Sequence, residues 1–91
     1  MVKSILQNKK ECFICHTQRN LERHHVLFGS RRHIAEEYGL TVYLCNAHHT
    51  GNDGVHFNPD IDRDLKQYAQ TAFIETYGEE LWWQRVGKNY L

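Results

Sequence analysis

Two short spacings constrain this 91-residue chain more than anything else in it: Cys12-x-x-Cys15 near the start and Cys45-x-x-His48 about thirty residues later. Each i, i+3 pair lets one turn present two ligands, and two such turns can enclose one tetrahedral ion. Three thiolates and one imidazole are a closed structural set for Zn²⁺. In so short a chain the binding free energy of the ion becomes folding free energy, because a small hydrophobic core alone is marginal. His49 stands beside His48 as a rival ligand, and Cys45 also reads as a small buried residue at a strand end. Three cysteines cannot close a set of disulfides, and Lys9-Lys10-Glu11 supplies no apolar strand before a redox Cys-x-x-Cys. Structural Zn²⁺ on Cys12, Cys15, Cys45 and His48 is the expectation.

Apolar residues at 41% and charged residues at 24% describe a globular chain, with no repeat and no Pro/Gly/Ser linker. One domain over 1–91 is expected: an irregular arm over 1–20 carrying the cysteine knuckle, a core over 21–58, and a helical cap over 59–91. The first residues lack the apolar segment of a secretory signal, and no stretch approaches the ~18 apolar residues of a membrane span. These features, with the cysteine usage, point to the cytoplasm and to no membrane partner.

Leu21–Phe28 and Thr41–Leu44 are rich in β-branched, aromatic and Leu residues and read as neighbouring strands. Between them a short helix is predicted over Arg31–Tyr38, capped by Ser30 and stopped by Gly39. Gly51-Asn52-Asp53-Gly54 marks a loop. Asn58-Pro59 starts the clearest helix, with Asp60, Asp62 and Asp64 suiting its positive end. Ile61, Leu65, Tyr68, Ala69, Ala72, Phe73 and Tyr77 give that helix one apolar stripe. After Gly78, a second helix over Glu79–Val86 should turn Leu81, Trp82 and Val86 inward, with Trp82 and Trp83 both packing. The fold class is therefore α+β.

The zinc set uses one of seven histidines. His24 and His25 are adjacent in a strand, so they point to opposite faces and cannot share one role. His24, His49 and His56 can converge on a second ion that keeps open positions, and an open site does chemistry. His16 and His33 read as surface or packing residues.

A Cys-x-x-Cys knuckle, a His-His pair in a strand and a Cys-x-x-His-His turn resemble the HNH (His-Asn-His) endonuclease family. The run His24-His25-Val26-Leu27-Phe28-Gly29, with Tyr38-Gly39-Leu40 and His48-His49-x6-His56-x-Asn58, is similar to small phage-encoded HNH proteins. Gly87-Lys88-Asn89-Tyr90-Leu91 has the same look. The resemblance implies a ββα-metal core, here zinc-stabilised with C-terminal helices. It implies His25 as general base, with His24 and His49 as ligands of a catalytic ion (Mg²⁺, Mn²⁺, Ni²⁺ or Zn²⁺), and His56 as a further ligand or phosphate contact. The activity implied is metal-dependent hydrolysis of DNA phosphodiesters, in a bacterial host if the chain is phage-encoded. The middle Asn of the family falls shortly before the third zinc cysteine, and Leu40–Leu44 holds none; Asn46, Asn52 and Asn58 are the candidates.

The net charge of zero conceals a gradient. Through His33, seven basic residues face two acidic ones, giving +5; beyond it, four basic residues face nine acidic ones, giving −5. Arg31 and Arg32 suit bidentate phosphate contacts, and Lys9, Lys10, Arg19 and Arg23 suit salt-sensitive backbone affinity. DNA is the expected partner. The alternative is a zinc-binding module that holds nucleic acid without cutting it, which needs no strand-borne base.

Overall fold

The computed structural model describes residues 2–51 and 54–91. The Asn52 candidate and part of the predicted 51–54 loop lie outside the described residues. The architecture is α+β: strand β1 (Leu21–His25), a 3-10 turn (Gly29–Arg31), helix α1 (Arg32–Tyr38), strand β2 (Thr41–Cys45), helix α2 (Asn46–His49), helix α3 (Pro59–Tyr77) and helix α4 (Glu79–Arg85). β1 and β2 form an antiparallel pair, with Leu21 opposite Cys45, His24 opposite Val42 and His25 opposite Thr41. No helix among the described residues is long and apolar enough to cross a membrane.

The strand–helix–strand excursion forms as its sequence suggests, with changes at its start. β1 ends at His25; the Val26 N–H still donates to the Leu40 carbonyl, and Leu27 and Phe28 lead into the 3-10 turn. Ser30 lies inside that turn and makes no side-chain cap, so α1 begins one residue later than expected. Gly39 closes α1 in the left-handed conformation at φ +74°. A Cβ there would also sit 2.4 Å from the Lys3 carbonyl oxygen, so the close approach of the arm demands glycine twice over.

The arm is irregular, yet it is stitched along the free edge of β2. Gln7 Oε1 accepts from the Tyr43 N–H, the Phe13 N–H donates to the Tyr43 carbonyl, and the Ile5 N–H donates to the Gly39 carbonyl. Ser4 Oγ donates to the Thr41 carbonyl. These contacts satisfy edge groups that would otherwise invite pairing with another chain.

α3 starts where Asn58 Oδ1 accepts from the N–H groups of Asp60 and Ile61. Leu65, Ala69 and Phe73 from its stripe are buried with Trp82 and Val86 of the following segment against Val26, Leu27, Leu40 and Leu44. Tyr68 and Tyr77 lie at the stripe's border and stay partly exposed; their hydroxyls donate to the carbonyls of Leu6 and Tyr38. Trp83 departs from the expected packing. One residue on from Trp82 it points about 100° away around the helix, half exposed, with Nε1 donating to Glu79. The C-terminal segment is held by Gln70, which is buried: Nε2 donates to Asn89 Oδ1 and Oε1 accepts from the Tyr90 N–H.

Candidate metal centre

The fold brings both ligand pairs of the knuckle and turn to one point. The Cys12 N–H donates to the Thr17 carbonyl and the His16 N–H to the Cys12 carbonyl, with His16 at φ +65° completing the tight turn. Cys45 ends β2, and His48 lies one turn along the short helix α2, which no capping signal in the sequence announces. Cys12, Cys15, Cys45 and His48 thus form a group positioned to hold a metal ion. Cys15 Sγ and Cys45 Sγ are 3.8 Å apart, and His48 Nδ1 lies 3.1 Å from Cys45 Sγ and 3.7 Å from Cys12 Sγ. A tetrahedral zinc bonded to sulfur at about 2.3 Å implies sulfur–sulfur edges of about 3.8 Å, so the spacing is consistent with a zinc site.

The electrostatics prepare that site for a cation. Burial pushes the Cys12 thiol up, but the N–H groups of Cys15, Cys45 and Ile14 outweigh it and bring the pKa down to about 6. Cys15 goes the other way: the Thr17 N–H favours its thiolate, while desolvation and the neighbouring Cys12 and Cys45 thiols raise its pKa. Cys12 and Cys15 are thus pushed in opposite directions, and a bound cation would favour the thiolate of both. His16 is no ligand; its ring is exposed and pairs with Glu11.

A second group consists of His24, His49 and His56, whose ligand atoms all lie within 4.8 Å of one another. His24 comes from near the end of β1, His49 from the end of α2 and His56 from the loop beyond. Glycine makes that loop possible: a Cβ on Gly54 would lie 2.5 Å from the His49 carbonyl oxygen and 2.8 Å from that of Gly51. The Val55 N–H then donates to the His48 carbonyl, and buried Val55 pins the segment so that His56 faces His49. Their Nε2 atoms are 3.2 Å apart. Two imidazole nitrogens bound tetrahedrally at about 2.0–2.1 Å would be separated by roughly 3.3 Å.

His24 is buried, and its Nε2 has no hydrogen-bond partner among the described residues. Burial, together with the neighbouring charges of His49, His56, His25 and Lys66, pushes its pKa down to about 3. At neutral pH it is an uncharged imidazole with an orphaned polar atom, a form suited to a ligand.

Sequence reasoning missed two carboxylates. Glu22 precedes His24 by two residues, so both lie on the same face of β1. His49 Nδ1–H donates to Glu22 Oε1 at 2.7 Å, and this bond, with help from Asn46, holds the Glu22 carboxyl below its usual range. A proton fixed on Nδ1 leaves the Nε2 lone pair of His49 free for an ion. The signal was available in the strand's period of two, which sets Glu22 beside His24.

The opposite face of β1 carries Arg23 and His25, and both reach Glu36 on α1. His25 Nε2 is 2.6 Å from Glu36 Oε2, and Arg23 Nη1 is 2.9 Å from the same oxygen. The His25 bond first, and Arg23 second, hold the Glu36 carboxyl below its ordinary value. The structure therefore unites His24, His49 and His56 and sets His25 apart from them.

The basic residues also divide. Lys9, Lys10 and Arg23 line one open groove of about 270 Å³ together with Lys3 and Tyr43. Arg31 lies elsewhere, its Nε donating to the Val86 carbonyl, and Arg32 is exposed at the start of α1. Arg19 and His33 are exposed outside both metal-ligand groups. Of the two described Asn candidates, Asn58 is spent on capping α3, and Asn46 Nδ2 donates to Thr50. No protein-family model, curated protein or solved structure matches the chain.

Proposed function

We propose that this chain is a divalent-metal-dependent DNA endonuclease of the HNH type, with a ββα-metal core formed by β1, β2 and α2 and braced by a structural zinc. The observation that carries the reading is the convergence of His24, His49 and His56, with a carboxylate behind His49 and an orphaned nitrogen on His24. A divalent ion held there would supply Lewis acidity to the scissile phosphate and its leaving 3′ oxygen.

The chain's own groups do the rest. His25 is the general base. Its Nε2–H is held by Glu36, so Nδ1 is the atom that takes the proton from the attacking water. Glu36 stabilises the imidazolium that results, and Arg23 keeps that carboxylate ionised. Lys9 and Lys10, with Lys3 beside them, hold flanking phosphates along the groove. Arg31 and Arg32 at the start of α1 add a second phosphate contact.

Plasmid nicking with Mg²⁺, Mn²⁺ or Ni²⁺ tests the reading. Nicking by wild type is expected, with a loss of about 10²–10⁴-fold in His25→Ala. No nicking with any of these ions, or unchanged nicking by His25→Ala, would sink it. One observation favours the second reading, a zinc-binding nucleic-acid module without catalysis: His25 faces Glu36 rather than the histidine group. That reading expects DNA binding without any nicking.

A further inference from the structure

Seven large hydrophobic side chains remain exposed among the described residues, and two of them adjoin the histidine group in sequence or space. Phe57, 67% exposed, follows His56 directly. Phe28, 43% exposed, has its ring 5.6 Å from that of His56 and 6.1 Å from that of His24. The core makes no use of Phe28: Val26 and Leu27 just before it are buried, whereas its own ring stays outside. Nor is it loose. The Lys66 ammonium sits 4.5 Å from the ring centroid and is itself anchored 2.7 Å from Asp62.

An aromatic ring held in place by a cation and two imidazoles, yet still 43% exposed, has little freedom to lose when a flat partner lands on it. A phosphate bound at the histidine group brings its own nucleobase within reach of that ring. We propose that Phe28 is the stacking platform for the base attached to the phosphate at His24, His49 and His56, so that the substrate presents an unstacked base beside the bond to be cut. This rests on the endonuclease reading for the identity of the ligand. In a duplex each base is already covered on both faces and must leave the stack to reach Phe28. Single strands, flaps and locally unpaired sites offer the base without that cost.

Fluorescence anisotropy tests the platform without requiring cleavage. The full chain, loaded with Zn²⁺ and Ni²⁺, is titrated with a short oligo-dT, with an abasic backbone of the same length and charge, and with a duplex of that length. Wild type should bind oligo-dT about fivefold or more tightly than the abasic backbone, the contribution of one stacked base. Phe28→Leu should erase that difference and leave abasic binding unchanged, while Phe28→Trp should keep it. Equal binding of the two single strands by wild type, binding of neither, preference for the duplex, or equal weakening of both by Phe28→Leu would overturn the proposal. Gels of the same samples report cleavage separately. A base-dependent affinity without products would count against the endonuclease and for the platform; products without it would do the reverse.

Discussion

Removing Glu22 should weaken ion binding at the histidine group while sparing the fold. The Glu22–His49 contact is a charge-assisted hydrogen bond of 2.7 Å, and it decides which His49 nitrogen carries the proton. Without it, the Nε2 lone pair must compete with the other tautomer, and the ring loses its orienting partner. Losing such a partner behind a ligand histidine typically costs about 10–100-fold in metal affinity, or roughly 1.4–2.7 kcal/mol. Glu22→Gln keeps an acceptor of the same length and belongs at the lower end. Glu22→Ala leaves Nδ1 to water and belongs at the upper end. Glu22 is partly exposed and is no member of the group formed by Cys12, Cys15, Cys45 and His48, so the melting temperature of the zinc-loaded chain should barely move. The assay is calorimetric titration of Ni²⁺ into protein whose cysteine site already holds zinc. If Glu22→Ala binds Ni²⁺ as tightly as wild type while His49→Ala does not bind it, the tautomer argument is wrong.

Cys45→Ser should lose the zinc and with it cooperative thermal unfolding, followed by circular dichroism, because the ion contributes folding free energy that a chain of this size lacks. Stability should fall on acidification. The His24 pKa drops from 6.5 to about 3 in the folded chain, so its contribution is present above pH 6.5 and is lost as the pH falls toward 3. Between pH 6.5 and 5.5 that amounts to about 1 kcal/mol in urea unfolding, and His24→Leu should flatten the profile by this amount. Phe73→Ala removes a fully buried ring packed against Tyr38, Tyr77 and Trp82 at 5.0–5.3 Å and should cost about 3–5 kcal/mol in the same urea assay.

What the sequence disclosed follows the range of the interactions involved. Asn58-Pro59 and the stripe through Phe73 are local signals, and α3 runs from Pro59 to Tyr77 as they predict. The Cys12, Cys15, Cys45 and His48 group was legible because two i, i+3 pairs leave little freedom in how they meet. Strand alternation correctly divided His24 from His25. The destinations of those two faces were not legible, since Glu36 belongs to an intervening helix and no local pattern aims it at His25. The arm's hold on β2 was hidden for a similar reason. Ser4 and Gln7 use side chains to satisfy a strand edge, and neither produces a strand-like pattern. Arg31 and Arg32 are neighbours in sequence, and the hydrogen bond from Arg31 Nε to the Val86 carbonyl, far along the chain, was not legible there either.

The central claim is that one short chain carries two metal sites of different kinds, one made mostly of sulfur and one made of imidazole. Elemental analysis of zinc-saturated protein after gel filtration tests it most directly, with His49→Ala and Cys45→Ser alongside wild type. Two ions per chain are expected in wild type, and one in His49→Ala with the fold intact. Wild type holding a single ion that His49→Ala retains and Cys45→Ser loses would contradict the second site, and with it the proposed chemistry.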